Sequence, residues 1–232
     1  MGIHYYGHGI DLAYYGIVIL SLVLGLVIQA YIKRKYERWS KVDASFSGTG
    51  ADVARQMLVE GGASGVGIVS VAGHLTDHYD PRDNNLHLSN ENMRGGSVAS
   101  VAVACHEAGH AVQRAKGYAP MRVRTALVPV VSFSQNTWML VFLAGVFLNA
   151  AGLVRAAIAL FAFSVIFHLV TLPVEIDASS RAVQFLETHG QGIDRQGAKE
   201  VLTAAALTYV AAALVSVVQL LYLIGRGNSS RD

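Results

Sequence analysis

The sequence predicts a mainly α membrane protein, with about four transmembrane helices and a small α+β domain set between them. Three observations predict this. The 232 residues are 53% apolar and only 15% charged, with a mean hydropathy of +0.40, an apolar excess over ordinary soluble domains. Four apolar stretches, at 12–31, 128–150, 153–172 and 201–224, each approach the ~20 residues that a ~30 Å hydrocarbon core requires. The interval between the first two carries helix caps, glycine stops and strand signals, as a folded domain does.

Residues 1–39 read as an anchor and its stop. The leader has no Lys or Arg, whereas Lys33, Arg34, Lys35, Arg38 and Lys41 follow the first apolar run. The positive-inside rule then places the N-terminus outside and residues 33–124 in the cytoplasm. The charges after Tyr31 read as a stop, not as a cleavage site, so no cleavable signal peptide is expected.

Residues 40–127 form the expected cytoplasmic domain. GTGADVARQMLVEGG reads as a helix with Thr49 as N-cap and Gly61 past its end. GVGIVSVAG is a β-branched run between glycines and reads as a strand. DPRDNN is a turn cluster, and LHLS at 86–89 alternates like a short second strand, completing a small hairpin. Ser97 then caps a long helix, SVASVAVACHEAGHAVQRAKG, which stops at Gly117. Residues 128–174 form a transmembrane hairpin whose tight outer turn holds Ala151 and Gly152. Residues 175–200 return to the cytoplasm as a helix, and 201–232 hold the last span and tail.

Composition also excludes. A net charge of +2 gives no electrostatic footprint for nucleic acid. The single cysteine, Cys105, forbids an intramolecular disulfide and reads as a small buried apolar residue.

The chemistry sits in CHEAGHAVQ, residues 105–113. Residues i and i+4 of a helix share a face, so His106 and His110 can offer both imidazoles to one ion. Glu107 stands about 100° round the helix, placed to reach a metal-bound water without ligating the metal. Two zinc ligands and a general base on one rigid element is the mechanical content of H-E-x-x-H. The bland alternative is an amphipathic helix with two half-buried histidines, but the small neighbours Ala104, Ala108, Gly109 and Ala111 let other groups approach closely. A catalytic zinc needs a third ligand, and the better candidate is Glu175 in TLPVEIDASSRA. Two spans separate it from His106, an even number, so it returns to the same membrane face.

CHEAGHAVQ, the upstream GHLTDHYDPRDNNLHLS, the downstream VEIDASSRA and the late AAALTYVAAALV together resemble the YugP-like neutral zinc metallopeptidases of bacterial membranes. The resemblance covers nearly the whole chain, roughly residues 49–223 plus an N-terminal span. The plan is also similar to that of HtpX-like and prenyl-protein endopeptidases, in which a membrane hairpin separates H-E-x-x-H from E-x-x-A-D. The resemblance implies His106, His110 and Glu175 as ligands of one Zn2+ per chain and Glu107 as catalytic base. It also departs from the wider pattern, since Ser179 stands where E-x-x-A-D has the aspartate that orients a ligand histidine. Ser179 or Asp177 is left to fill that role, although i+2 faces away from Glu175 on a helix.

Other residues carry weaker signals. His78 or Tyr79 in TDHYDP could hydrogen-bond the oxyanion of a tetrahedral intermediate, against a plain turn role suggested by Asp77, Asp80 and Pro81. Tyr209 is a second oxyanion candidate, set against ordinary packing in the last span. LHLS stands where gluzincin-like proteases keep an edge strand for an extended peptide. His87 reads as exposed. His168 shares a face with Glu175, and Gln135 and Asn136 could line the same polar recess, or all three could serve helix-to-helix bonding. His4 and His8 read as interface residues.

The expected function is a membrane-embedded, gluzincin-like zinc metalloendopeptidase with a cytoplasm-facing site. It would sit as a multi-pass protein in the bacterial inner membrane and act on membrane-associated protein or peptide. The rivals are a zinc amidohydrolase acting on a small amide or lipid, and a non-catalytic zinc-stabilised scaffold.

Overall fold

The computed structural model describes residues 12–229. The leader, with His4 and His8, and the last three residues lie outside the described part. Among the described residues, four helices are long and apolar enough to cross a membrane: α1 (Leu12–Trp39), α5 (Ala119–Phe147), α6 (Ala151–His189) and α7 (Gly192–Ser229). The chain is a multi-pass membrane protein. Between α1 and α5 lie α2 (Gly50–Glu60), β1 (Gly67–Val71), β2 (His78–Asp80), β3 (Asn85–Ser89), α3 (Asn90–Arg94) and α4 (Val98–Ala115).

The expected caps are in place. Thr49 opens α2 with a capping box, its hydroxyl accepting from the Asp52 amide while the Asp52 carboxylate accepts from the Thr49 amide. Ser97 opens α4 by accepting from the Ser100 amide at 3.1 Å. Leu86 and Leu88 of β3 are fully buried and join Val53, Leu58, Val101 and Cys105 in the core between sheet, α2 and α4.

The sheet differs from the expected hairpin. Its order is β1-β3-β2, with β1 parallel to β3 and β2 antiparallel to β3. LHLS is therefore the central strand, not an edge. TDHYDP, dense in turn formers, carries a strand of its own at His78–Asp80. Turn propensity lost there to the ladder that β2 completes along β3.

The bundle helices outrun their apolar stretches. α6 passes without a break from its apolar part through Glu175 to a stop at Gly190, so the helix expected over 175–200 is the end of α6 plus the start of α7. α6 packs on α5 and α7, and α4 packs on α6 and α7. At the basic end of α1, Lys35, Arg38 and the Trp39 indole converge on Glu200 of α7 at 2.9, 3.4 and 3.1 Å. The Tyr36 hydroxyl donates to Asn92 at 2.6 Å, tying α1 to the domain.

Candidate metal centre

Helix α4 meets α6 at glycine. A Cβ on Gly109 would stand 2.8 Å from the Ala178 carbonyl oxygen and 3.2 Å from its Cα, both backbone atoms that cannot swing away. Ala108 and Ala178 are fully buried beside this contact. The small residues of the motif thus let two helix backbones come close enough for polar side chains on both to share one point.

His106 and His110 from α4 and Glu175 from α6 meet there. Glu175 Oε2 lies 3.3 Å from His106 Nε2 and 3.5 Å from His110 Nε2, and one ligand atom from each of the three lies within 4.8 Å of the others. Glu175 is 2% exposed, and its Oε2 has no hydrogen-bond partner. A buried carboxylate oxygen aimed between two imidazole nitrogens and otherwise unsatisfied fits a cation. Two nitrogens and one carboxylate oxygen are a donor set zinc accepts.

The far nitrogens of both rings are held. Ser179 Oγ lies 3.1 Å from His106 Nδ1. Gln113 Oε1 lies 3.1 Å from His110 Nδ1, while the Gln113 amide nitrogen donates to the Val174 carbonyl at 2.7 Å and to Asp177 at 2.8 Å. Arg181 donates to Asp177 in turn at 2.6 Å. Ser179 thus holds the ring of His106, and Asp177 reaches the other histidine through Gln113. Partners of this kind fix ring tautomer and orientation.

Glu107 is buried, and its Oε2 accepts from the Tyr79 backbone amide of β2 at 3.0 Å. Burial pushes its carboxyl up to about 7; His106 works against this, and the carboxylates of Glu175 and Asp77 work with it. A dication at the three ligands would pull it back down.

The chain matches the model of the family described as "Putative neutral zinc metallopeptidase" over residues 14–227. It is also 42% identical, over 218 residues, to "Putative membrane protease YugP" of Bacillus subtilis (strain 168), covering 93% of this chain and 97% of that one. The chain belongs to this family. No solved structure matches it.

Among the family member's weaker candidates, Tyr209 is at the site: its hydroxyl interacts with Glu175 and lies within electrostatic reach of Glu107 and Arg124. His78 is exposed, stacks on His87 with ring centroids 4.7 Å apart, and pairs its Nδ1 with the Thr76 carbonyl. Of the TDHYDP pair it is Tyr79, through its amide, that touches Glu107. His87 is half-buried rather than exposed, held by Asp83 at 2.8 Å, and stands outside the ligand group. Gln135 and Asn136 are exposed, whereas the neighbouring Ser134 is fully buried. Sequence reasoning missed Arg124, whose Nη2 lies 3.9 Å from Glu175 Oε1 and whose Nε is buried with no hydrogen-bond partner. It also missed Gln113, although the spacing of three from His110 was a usable signal.

Proposed function

We propose that the chain is a zinc metalloendopeptidase of the gluzincin type, holding one Zn2+ through His106, His110 and Glu175. The observation that carries this is the buried Glu175 oxygen, unpartnered and set between two imidazole nitrogens on a second helix. When bound, zinc supplies a Lewis acid that polarises a carbonyl and acidifies a water. Glu107 takes the proton of the attacking water and returns it to the leaving amine. Arg124 and Tyr209, both beside Glu175, are the donors placed to meet negative charge as it develops on the carbonyl oxygen. His78 is not placed as an oxyanion donor, because its contacts are spent on His87 and Thr76.

The Tyr79 amide points at Glu107 of α4, so the outer edge of β2 borders the catalytic helix. An extended peptide laid along that edge would be held by backbone hydrogen bonds and read with little sequence preference. The substrate is thus a peptide segment at the membrane face, and the positive-inside signal puts that face in the cytoplasm of a bacterial inner membrane.

Elemental analysis and peptide cleavage on purified protein test the proposal. About one zinc per chain is expected in wild type and in Glu107→Gln, and sharp loss in His106→Ala and Glu175→Ala. Cleavage should fall about 10²–10⁴-fold in Glu107→Gln. Full zinc in Glu175→Ala would remove the third ligand, and unchanged activity in Glu107→Gln would leave a scaffold.

A further inference from the structure

Below the metal centre, α6 carries a stripe of polar residues into its apolar part. Glu175, Thr171, His168 and Ser164 follow one another at spacings of four, three and four, which is one face of a helix. By helix rise the stripe reaches ~16 Å from Glu175 to Ser164. Thr171 and Ser164 are 3% and 4% exposed. Thr171 Oγ1, His168 Nδ1 and Ser164 Oγ are all buried, and none has a hydrogen-bond partner.

The neighbouring helices present polar groups at matching depths. Arg124 against Glu175, Trp138 against Phe161 and Gly145 against Val154 fall in one antiparallel register of α5 and α6. That register sets Ser134 level with Ser164, and Ser134 is itself fully buried with an unpartnered hydroxyl. On α7, Tyr209 at Glu175 and Leu223 in the cluster with Phe161 fix a second register. It sets buried Ser216 level with His168.

These hydroxyls had a simpler option. Ser21 and Thr125 donate to carbonyls four residues back, at 2.6 and 2.8 Å, and Ser216 donates to the Ala213 carbonyl at 2.9 Å. That is how a hydroxyl in an apolar helix usually satisfies itself. Ser134, Ser164 and Thr171 do not, although burying an unpaired hydroxyl in a membrane bundle is costly. Pro173, lacking an N–H, also leaves the Leu169 carbonyl without its helical donor.

We propose that α5, α6 and α7 enclose a chain of bound water, held by Thr171, His168, Ser164 and Ser134, that runs from the metal centre into the membrane-embedded bundle. Each orphaned hydroxyl and the His168 nitrogen gain a partner, and the stripe ends at Glu175. Such a chain keeps the site hydrated from within the bundle while β2 and its peptide cover the opposite side. The inference goes beyond the peptidase proposal and does not need turnover to be tested.

The test is X-ray radiolytic labelling of the full-length protein in lipid nanodiscs, which marks side chains beside bound water. His168 should be oxidised several-fold faster than Phe163 and Leu169, which face outward on the same helix. Labelling of His168 no faster than these two overturns the proposal. The second measurement is thermal. A Ser134→Ala/Ser164→Ala/Thr171→Val variant should melt about 3–6 °C lower, because water loses its anchors. A dry stripe gives the opposite sign, since removing unpaired hydroxyls then relieves the bundle, and a raised Tm overturns the proposal as well. If the triple variant does not fold, the wild-type labelling still decides.

Discussion

The Ser179 hydroxyl stands 3.1 Å from Nδ1 of His106, on the side of the ring away from Glu175. It occupies the place where the wider E-x-x-A-D pattern has a carboxylate. A neutral hydroxyl orients the ring but enriches it less than a carboxylate would. Ser179→Ala should weaken zinc binding about 10–100-fold, and Ser179→Asp should hold it at or above the wild-type level. Competition titration against a fluorescent zinc chelator reads the order; equal affinity in Ala and wild type would remove Ser179 from the centre.

Gly109 predicts a geometric failure. Its missing Cβ is what lets α4 lie against the Ala178 backbone. Gly109→Ala should push the helices apart and separate His106 and His110 from Glu175, losing zinc even though no ligand is touched. Gly62, open around its Cβ position but at a φ of +78°, tests the contrast. There Ala should cost about 1 kcal/mol through backbone strain alone and leave zinc in place. Metal content and Tm of the two variants separate the effects.

Gln113 is fully buried and joins three partners: His110, the Val174 carbonyl and Asp177. Gln113→Leu keeps the bulk but frees His110 Nδ1 and takes one donor from the Val174 carbonyl and one from Asp177, which keeps Arg181; this should cost about 1–3 kcal/mol of stability and loosen zinc together. Gln113→Glu should be worse, because it sets a second carboxylate against Asp177. Thermal melts with and without zinc check both.

Arg124→Ala and Tyr209→Phe should each lower kcat, by about 10²–10³-fold for whichever meets the developing charge, with KM and zinc content little changed. A fall in zinc content instead would make Arg124 a support for Glu175 rather than a partner of the substrate. Steady-state kinetics beside elemental analysis distinguishes these.

Orientation gives a prediction without chemistry. Asn149 lies exposed in the turn between α5 and α6, and Lys116 lies exposed at the end of α4. A membrane-impermeant maleimide should label Asn149→Cys in intact cells and Lys116→Cys only after permeabilisation. The native Cys105 is buried and stays silent. Labelling in the reverse pattern would invert the proposed topology.

Much of the site was legible because it rests on periodicity. His106 and His110 share a helix face by spacing alone, and for the candidate Glu175 an even count of spans returns it to the same membrane side. Thr49 and Ser97 were readable because a cap is a local bargain between one side chain and nearby amides. What escaped depends on contacts distant in sequence. β3 reads as an edge strand until β1, running parallel to it, and β2, built of turn formers, close on both sides. Ser179 and Asp177 could not be ranked from α6 alone, since their partners lie on α4. Arg124 looked like a boundary charge until the α5–α6 register brought it to Glu175.

The unbroken run of α6 joins two environments mechanically. One rod carries both the lipid-facing surface at Ile166 and Leu169 and the carboxylate at Glu175, while both histidines ride on a separate helix packed in the water-exposed domain. A bilayer that is too thin or too thick makes its spanning helices tilt or shift. Any such shift acts on Glu175 directly and reaches His106 and His110 only through the contact of α4 with α6 at Gly109 and Ala178. Lipid thickness would thereby bear on how the Glu175 carboxylate sits against the two imidazoles.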